Sequence, residues 1–480
     1  MERIAGAGVS FFSMATNALP RKTLFSGIAL PAFSWGLPFH SLIIAILFGA
    51  LHYQAGTVRV LAAWKELAVI ALIFIVVLRA MTGRGPRVWL SWVDIAVGSL
   101  LVLALGFYLA SDSLLRIELP RVAELYGLRD DVFFLLLYFV GRASPEIADD
   151  PNTLRRLYIV TVLVSAIAIA ERLFATPDTL VLIGIARYVQ DFLNAAPFTA
   201  GNGYGLPMNY WTRIGSIEVQ RAGSVYLSSQ AFAVPFLILM PAATAWVFGA
   251  VKRRTAAIKI DYAIIWLGLL LSITRMTVIV CALQLLLMIL MLRKPEWAVA
   301  GLVAGVATVL LAFITVPGLP TFVWDTVTWQ TGSNVSHMND WTKGFEAFFD
   351  RPWGSGLGTT DESAIRAGLD PLTADNGYFK YAVELGAGGL IAHLAIFLGI
   401  GLTSFKVARY GSTEYRRLLG TVVLITTVGV MINAITGVVF NALVLAYLYF
   451  WFAGAIVTVA QRESSRQRVA VQIPVTLATA

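Results

Sequence analysis

Apolar stretches of about 20 residues recur along this chain, each set off by a short polar turn. That length is what a helix needs to cross a hydrocarbon core. The pattern predicts about twelve crossings, near 24–51, 62–81, 90–110, 128–143, 156–174, 227–249, 259–275, 276–292, 296–317, 386–405, 416–435 and 440–460. Pro31 and Pro38 fall inside the first and would break it into two short pieces, and the fourth is shorter than the rest. The expected fold class is all-α: a polytopic membrane protein with a large loop, 318–385, between the ninth and tenth helices. No internal repeat or low-complexity stretch interrupts the pattern.

Composition agrees. With 58% hydrophobic and 13% charged residues over 480 positions, the chain is too apolar for a soluble globule. Its cations gather in alternate turns: Arg79, Arg84 and Arg87; Lys252, Arg253, Arg254 and Lys259; Arg293 and Lys294; Lys406, Arg409, Arg416 and Arg417. The tail adds Arg462, Arg466 and Arg468. Placing all of them in the cytoplasm gives one threading, with both termini inside and the segments 175–226 and 318–385 facing outward. The net charge of +8 is mostly this bias. No compact basic patch interleaved with aromatics appears, so the expected partner is the lipid bilayer and not nucleic acid. No stretch reads as a cleavable signal peptide, so the first span would be the anchor. Four blocks follow: 1–220, N-terminal helices with outward segments; 221–317, central helices; 318–385, the loop; 386–480, C-terminal helices and tail.

The outward segments hold the polar chemistry. Segment 175–226 contains an amphipathic piece, TLVLIGIARYVQDFL, suited to the membrane interface, then the aromatic and Gly-rich FTAGNGYGLPMNYW. The stretch 112–131 reads as a charged interfacial helix. The large loop should open as a helix carrying His337, Asp340 and Trp341, and end at Asp350-Arg351-Pro352. Gly354, Gly356 and Gly358 follow, a spacing that serves a tight turn or an amide cradle for a diphosphate.

Two arginines stand at outward boundaries, Arg221 in QRAGSVYLSS and Arg275 in SITRMTV. An arginine at membrane depth snorkels, pairs or serves function, and its fork matches phosphate oxygens. Arg213 is a weaker candidate. For proton transfer the loop offers His337, whose ordinary pKa suits a general base near neutrality, and carboxylates such as Asp375. Glu384, at the opening of the tenth span, would want a partner such as an arginine and reads as structural or supporting. His393 reads as bundle packing, and His40 and His52 as interfacial. Cys281 reads as a small core residue; one cysteine and four histidines give no zinc set.

Four pieces in order, QRAGSVYLSSQ, SITRM, HMNDWTKGFEAFFDRPWGSGLG and DNGYFKYAVELGAGGL, resemble the O-antigen ligase and polymerase superfamily of bacterial membrane glycosyltransferases. The resemblance runs roughly from Arg221 to Leu390. Asp375-Asn376 stands where the family commonly has His-Asn, His337 stands where many members have an arginine, and Thr274 replaces the serine of the Ser-Arg turn. The resemblance implies transfer of a glycan from undecaprenyl diphosphate to an acceptor hydroxyl at the periplasmic face of the inner membrane. Arg221 and Arg275 would bind the diphosphate, His337 or Asp375 would be the base, and Trp341, Gly354, Gly356, Asn376, Tyr378 and Glu384 would support them. No metal or other cofactor is called for. The expected activity is polymerisation of O-antigen or exopolysaccharide repeats. The alternatives are ligation to lipid A-core or protein, and transport of a lipid-linked oligosaccharide.

Overall fold

The computed structural model describes residues 23–472 except 87–88, 116–117, 196–198, 200–202, 215–216, 252–254, 295–300, 302–304, 306–309, 311–312, 315–317, 329, 331 and 374. In chain order its principal helices are α1 (Leu30–Ala45), α2 (Trp64–Met81), α3 (Trp92–Leu115), α4 (Arg121–Asp131), α5 (Leu136–Ala143), α6 (Pro151–Phe174), α7 (Phe236–Thr244) and α8 (Ala256–Leu271). They continue as α9 (Arg275–Met291), α10 (Leu319–Val327), α11 (Gly332–Asp350), α12 (Asp361–Arg366), α13 (Gly377–Tyr410), α14 (Glu414–Asn433) and α15 (Leu443–Gln472). Among the described residues, eight helices are long and apolar enough to cross a membrane: Phe25–Ala50, Ala55–Met81, Trp92–Ala110, Pro151–Phe174, Ser229–Ala250, Gly377–Tyr410, Glu414–Asn433 and Leu443–Ser465. The protein is a multi-pass helical membrane protein.

Several boundaries differ from the hydrophobic pattern. The first span is not divided at Pro31 and Pro38: helix continues from Phe25 to Ala50, with a π-turn ahead of Pro31 where the proline removes a donor. The fourth, 128–143, is not one membrane-length helix, because α4 stops at Asp131, Val132 leaves helical geometry, and α5 has only 8 residues. The seventh and eighth are short helices of 16 and 17 residues. The ninth, 296–317, falls largely outside the described residues. The tenth starts earlier than its apolar run, at Gly377, because Asn376 caps it: the Asn376 side-chain oxygen accepts from the Tyr378 and Phe379 N–H groups. One unexpected hairpin interrupts the all-α pattern, β1 (Trp211–Ile214) against β2 (Ile217–Gln220), pairing Trp211 with Gln220. Its Trp, Thr, Ile and Val content suits strands.

Helix α15 is the central post, packed by α5, α13 and α14. It meets α5 at paired glycines: a Cβ on Gly141 would stand 2.0 Å from the Trp451 carbonyl oxygen, and one on Gly454 would stand 2.0 Å from that of Tyr138. Only residues without a side chain allow that approach. Cys281 is buried, as expected of a core residue. His393 is also buried, stacked on Tyr381 with ring centroids 3.9 Å apart. His40, expected at the interface, is instead buried and accepts from the Trp64 indole N–H at 3.2 Å.

Helix directions place two sets of residues at opposite ends of the bundle. Asn441, just before α15, reaches Asp361, while Gln461 further along that helix reaches Arg142. The eighteen helical steps from Leu443 to Gln461 separate these ends by about 27 Å. The first end carries Arg221, Arg275 and the loop helices. The second carries Arg79, Arg84, Arg409 and Arg416.

Candidate functional site

Arg221 leaves β2 and enters a loop held on three sides. Its own N–H donates to the Tyr210 carbonyl at 2.7 Å, and the Ala222 N–H donates to that of Leu271 at 2.9 Å. Glu171, on the last turn of α6, accepts from the N–H groups of Gly223 and Ser224. The loop needs that support, since Ser224 and Leu227 both adopt positive φ without being glycine. The Arg221 guanidinium turns to the α8–α9 corner, donating to the Ser272 carbonyl at 2.7 Å and the Thr274 hydroxyl at 2.8 Å. Thr274, standing where the family pattern has serine, therefore orients Arg221.

Arg275 begins α9 one residue later and donates to the Thr326 hydroxyl of α10 at 2.7 Å. The two guanidinium groups feel each other. Burial and then the Arg275 charge lower the Arg221 pKa from its ordinary value to about 10, which leaves it a cation at neutral pH. Among the described residues no carboxylate forms an ion pair with Arg221. Two neighbouring cations at a helix corner are a site an anion would stabilise. Arg213 lies apart on β1, exposed and opposite Glu218 in the hairpin register.

The loop helices connect to this pair. The Thr326 carbonyl accepts from Asn334 at 2.8 Å, on the first turn of α11. One turn later His337 puts Nδ1 3.2 Å from Asp375 Oδ2. Asp340, a further turn on, accepts from the Asp375 N–H at 2.7 Å. Trp341 is half-buried on the same face. The partly buried positions Asn334, His337, Asp340, Trp341 and Gly344 recur at helical spacing, so α11 turns its chemically useful face inward.

Asn376 and Tyr378 anchor the other side. The Asn376 amide donates to the Ile435 carbonyl at 3.0 Å, and the Tyr378 hydroxyl donates to that of Met431 at 2.6 Å. Thr277 of α9 donates to the Asn433 side chain at 3.2 Å, so the same end of α14 braces the arginine corner and the Asp375–Asn376 turn. The arginines, His337 and Asp375 thus hang on one shared frame.

The glycines do something else. Gly354, Gly356 and Gly358 all take positive φ, and Gly386 in α13 does too, kinking that helix. The loop N–H groups point into the kink: Ser355 donates to Val383 at 2.7 Å, Gly356 to the Glu384 carbonyl at 3.1 Å, and Gly358 to the Glu384 carboxylate at 3.0 Å. These amides close a broken helix and are committed there. Among the described residues Glu384 is not partnered by an arginine; it lies inside α13, buried, accepting from the Gly358 and Thr360 N–H groups and the Thr360 hydroxyl. Beside it Lys380 bridges Asp131 at 2.8 Å and Asp361 at 2.5 Å. This buried cluster of one cation and three acids escaped the sequence, although a lysine four residues before Glu384 in an otherwise apolar run was a visible signal. Glu171 escaped too, because nothing in ERLF announces a loop anchor.

A model of the family described as O-antigen ligase matches residues 262–394. That segment is similar to the O-antigen ligase family. That supports the O-antigen ligase and polymerase superfamily, on about a quarter of the 480 residues. The family segment contains Arg275, His337, Trp341, Gly354, Gly356, Asp375, Asn376, Tyr378 and Glu384; Arg221 lies before it. The matched segment therefore includes the end of the bundle where α9, α11 and α13 meet. No curated protein matches the chain.

Proposed function

We propose that this protein is a glycosyltransferase of the bacterial inner membrane, using an undecaprenyl-diphosphate-linked glycan donor at the periplasmic face to polymerise O-antigen or exopolysaccharide repeats. The observation that carries this reading is the Arg221–Arg275 neighbourhood, braced by the same α14 end as the His337–Asp375 pair. Basic turns at the opposite end of the bundle support a periplasmic site, with both termini cytoplasmic, through the positive-inside rule.

In the proposed reaction an acceptor hydroxyl attacks the anomeric carbon, and the bond from that carbon to the diphosphate oxygen breaks. The bonding electrons leave on the diphosphate, where Arg221 and Arg275 stabilise the added charge without a metal. His337 takes the hydroxyl proton. Asp375 faces Nδ1, which leaves Nε2 for the acceptor and gives the resulting imidazolium a counter-charge. Asp375 as direct base is the alternative at the same site.

The family description favours a second reading, ligation of finished glycan to lipid A-core or to protein. Incubating purified protein with lipid-linked repeat units and core acceptor separates the two. A ladder formed without core supports polymerisation; label found only on core replaces it with ligation. Transport is tested by Arg275→Ala in cells. Donor accumulating on the periplasmic side fits catalysis, and donor held on the cytoplasmic side fits a flippase.

A further inference from the structure

At the end of the bundle opposite Arg221 and Arg275, two consecutive helices part company. Helix α2 packs chiefly on α5, and α3 chiefly on α13. The cleft between them holds a cavity of about 260 Å³, lined by Val76, Arg79, Trp89, Leu90, Phe139 and Arg142 among others. That volume is below the roughly 300–1,000 Å³ of a drug-sized ligand site and the wall is mostly apolar, which suits a hydrocarbon chain.

Charge at the mouth selects the rest of the ligand. Arg142 is fully engaged, with Asp94 at 2.9 Å and donations to Thr458, Gln461 and the Trp89 carbonyl. It fixes the wall and is not available. Arg79 differs: its guanidinium lies over the Phe25 ring at 5.3 Å, and among the described residues no acid pairs with it or with Arg84. The turn after α2 folds back on itself, the Arg84 backbone N–H donating to the Arg79 carbonyl at 2.9 Å, so the two arginines leave the same turn. Trp89 and Leu90 are 70% and 77% exposed beside the cavity, an indole and an alkyl group at the level where a helix meets headgroups.

We propose that this cleft binds one anionic phospholipid, an acyl chain against Val76, Leu90 and Phe139 and its phosphate on Arg79 and Arg84. The site is separate from the transfer site and does not depend on the proposed reaction. Native mass spectrometry of the full chain, titrated with phosphatidylglycerol and separately with phosphatidylcholine, tests it. One phosphatidylglycerol should remain bound, and the R79A/R84A variant should bind it about 30-fold more weakly, the effect of two cations at a membrane surface. R79K/R84K should retain binding, and V76W, which fills the cavity, should lose it, each with unchanged thermal unfolding. Equal binding of phosphatidylcholine, full retention by R79A/R84A or V76W, or a second copy of the chain occupying the face would overturn the assignment.

Discussion

Helix α11 keeps His337 and Asp340 partly open to their surroundings, whereas 15 to 26 residues later Ser355, Thr360, Asp361 and Ser363 are sealed from solvent. Both stretches are polar and both belong to the segment between the arginine corner and α13. The first places reactive groups against Asp375; the second plugs the kink at Gly386 and surrounds Lys380. Polarity in a membrane protein therefore marks two different things. It marks a half-open face, proposed above as the working surface, and a buried plug whose loop amides and hydroxyls donate to Glu384.

The largest way to break this contrast is to remove the one cation of the plug. Lys380→Met leaves Asp131, Asp361 and Glu384 buried together without their counter-charge. Breaking a buried pair by removing one partner costs about 3–5 kcal/mol. Thermal unfolding in detergent should show that loss, with glycan transfer failing only as the protein unfolds. A variant that unfolds normally but cannot transfer would move Lys380 from the plug to the site.

His337→Ala should behave the opposite way, leaving unfolding unchanged while transfer falls on the order of 10²–10⁴-fold. If His337 and Asp375 act as a unit, the His337→Ala/Asp375→Ala pair should be no slower than the worse single variant. Multiplicative losses in transfer rate would separate them and favour Asp375 acting directly.

How much of this could be read from the residues depends on which property carried the information. Eight of the twelve crossings, among the described residues, were legible because apolar length is a direct physical requirement. Arg221 and Arg275 stood out in the sequence because a charge near membrane depth demands an explanation. The partner of Glu384 was not legible: the expected arginine proved to be backbone amides from a glycine loop 24 to 26 residues earlier. No local pattern encodes such a pairing, since the glycines specify a bend and the bend chooses its neighbour. The division of 128–143 was hidden for a related reason, Asp130 and Asp131 ending a helix to meet Arg129 and Lys380.

Arg221→Ala sharpens the comparison from the other side of the site. Its guanidinium contacts only neutral groups, the Ser272 carbonyl and the Thr274 hydroxyl, within the described residues. Truncation should lower transfer about 10²–10³-fold, the scale of losing one donor to a developing anion. Stability should change far less than in Lys380→Met, because no buried counter-charge is orphaned. Thr274→Ser should keep the hydroxyl and most of the rate, whereas Thr274→Val should lose part of it with Arg221 still present.

The smallest effect belongs to the outer face of α11. Phe345 and Phe349 are 55% and 62% exposed, their rings 4.6 Å apart. An exposed substitution away from packing usually changes stability by no more than about 0.5 kcal/mol. Phe349→Ser should therefore unfold normally in detergent and transfer glycan from a lipid-linked donor within about twofold of the parent protein. A large loss of transfer with normal unfolding would mean that the outer face of α11 grips the lipid of the donor. The contrast within the loop would then run across the helix, with chemistry on one side and lipid on the other, instead of between α11 and the plug.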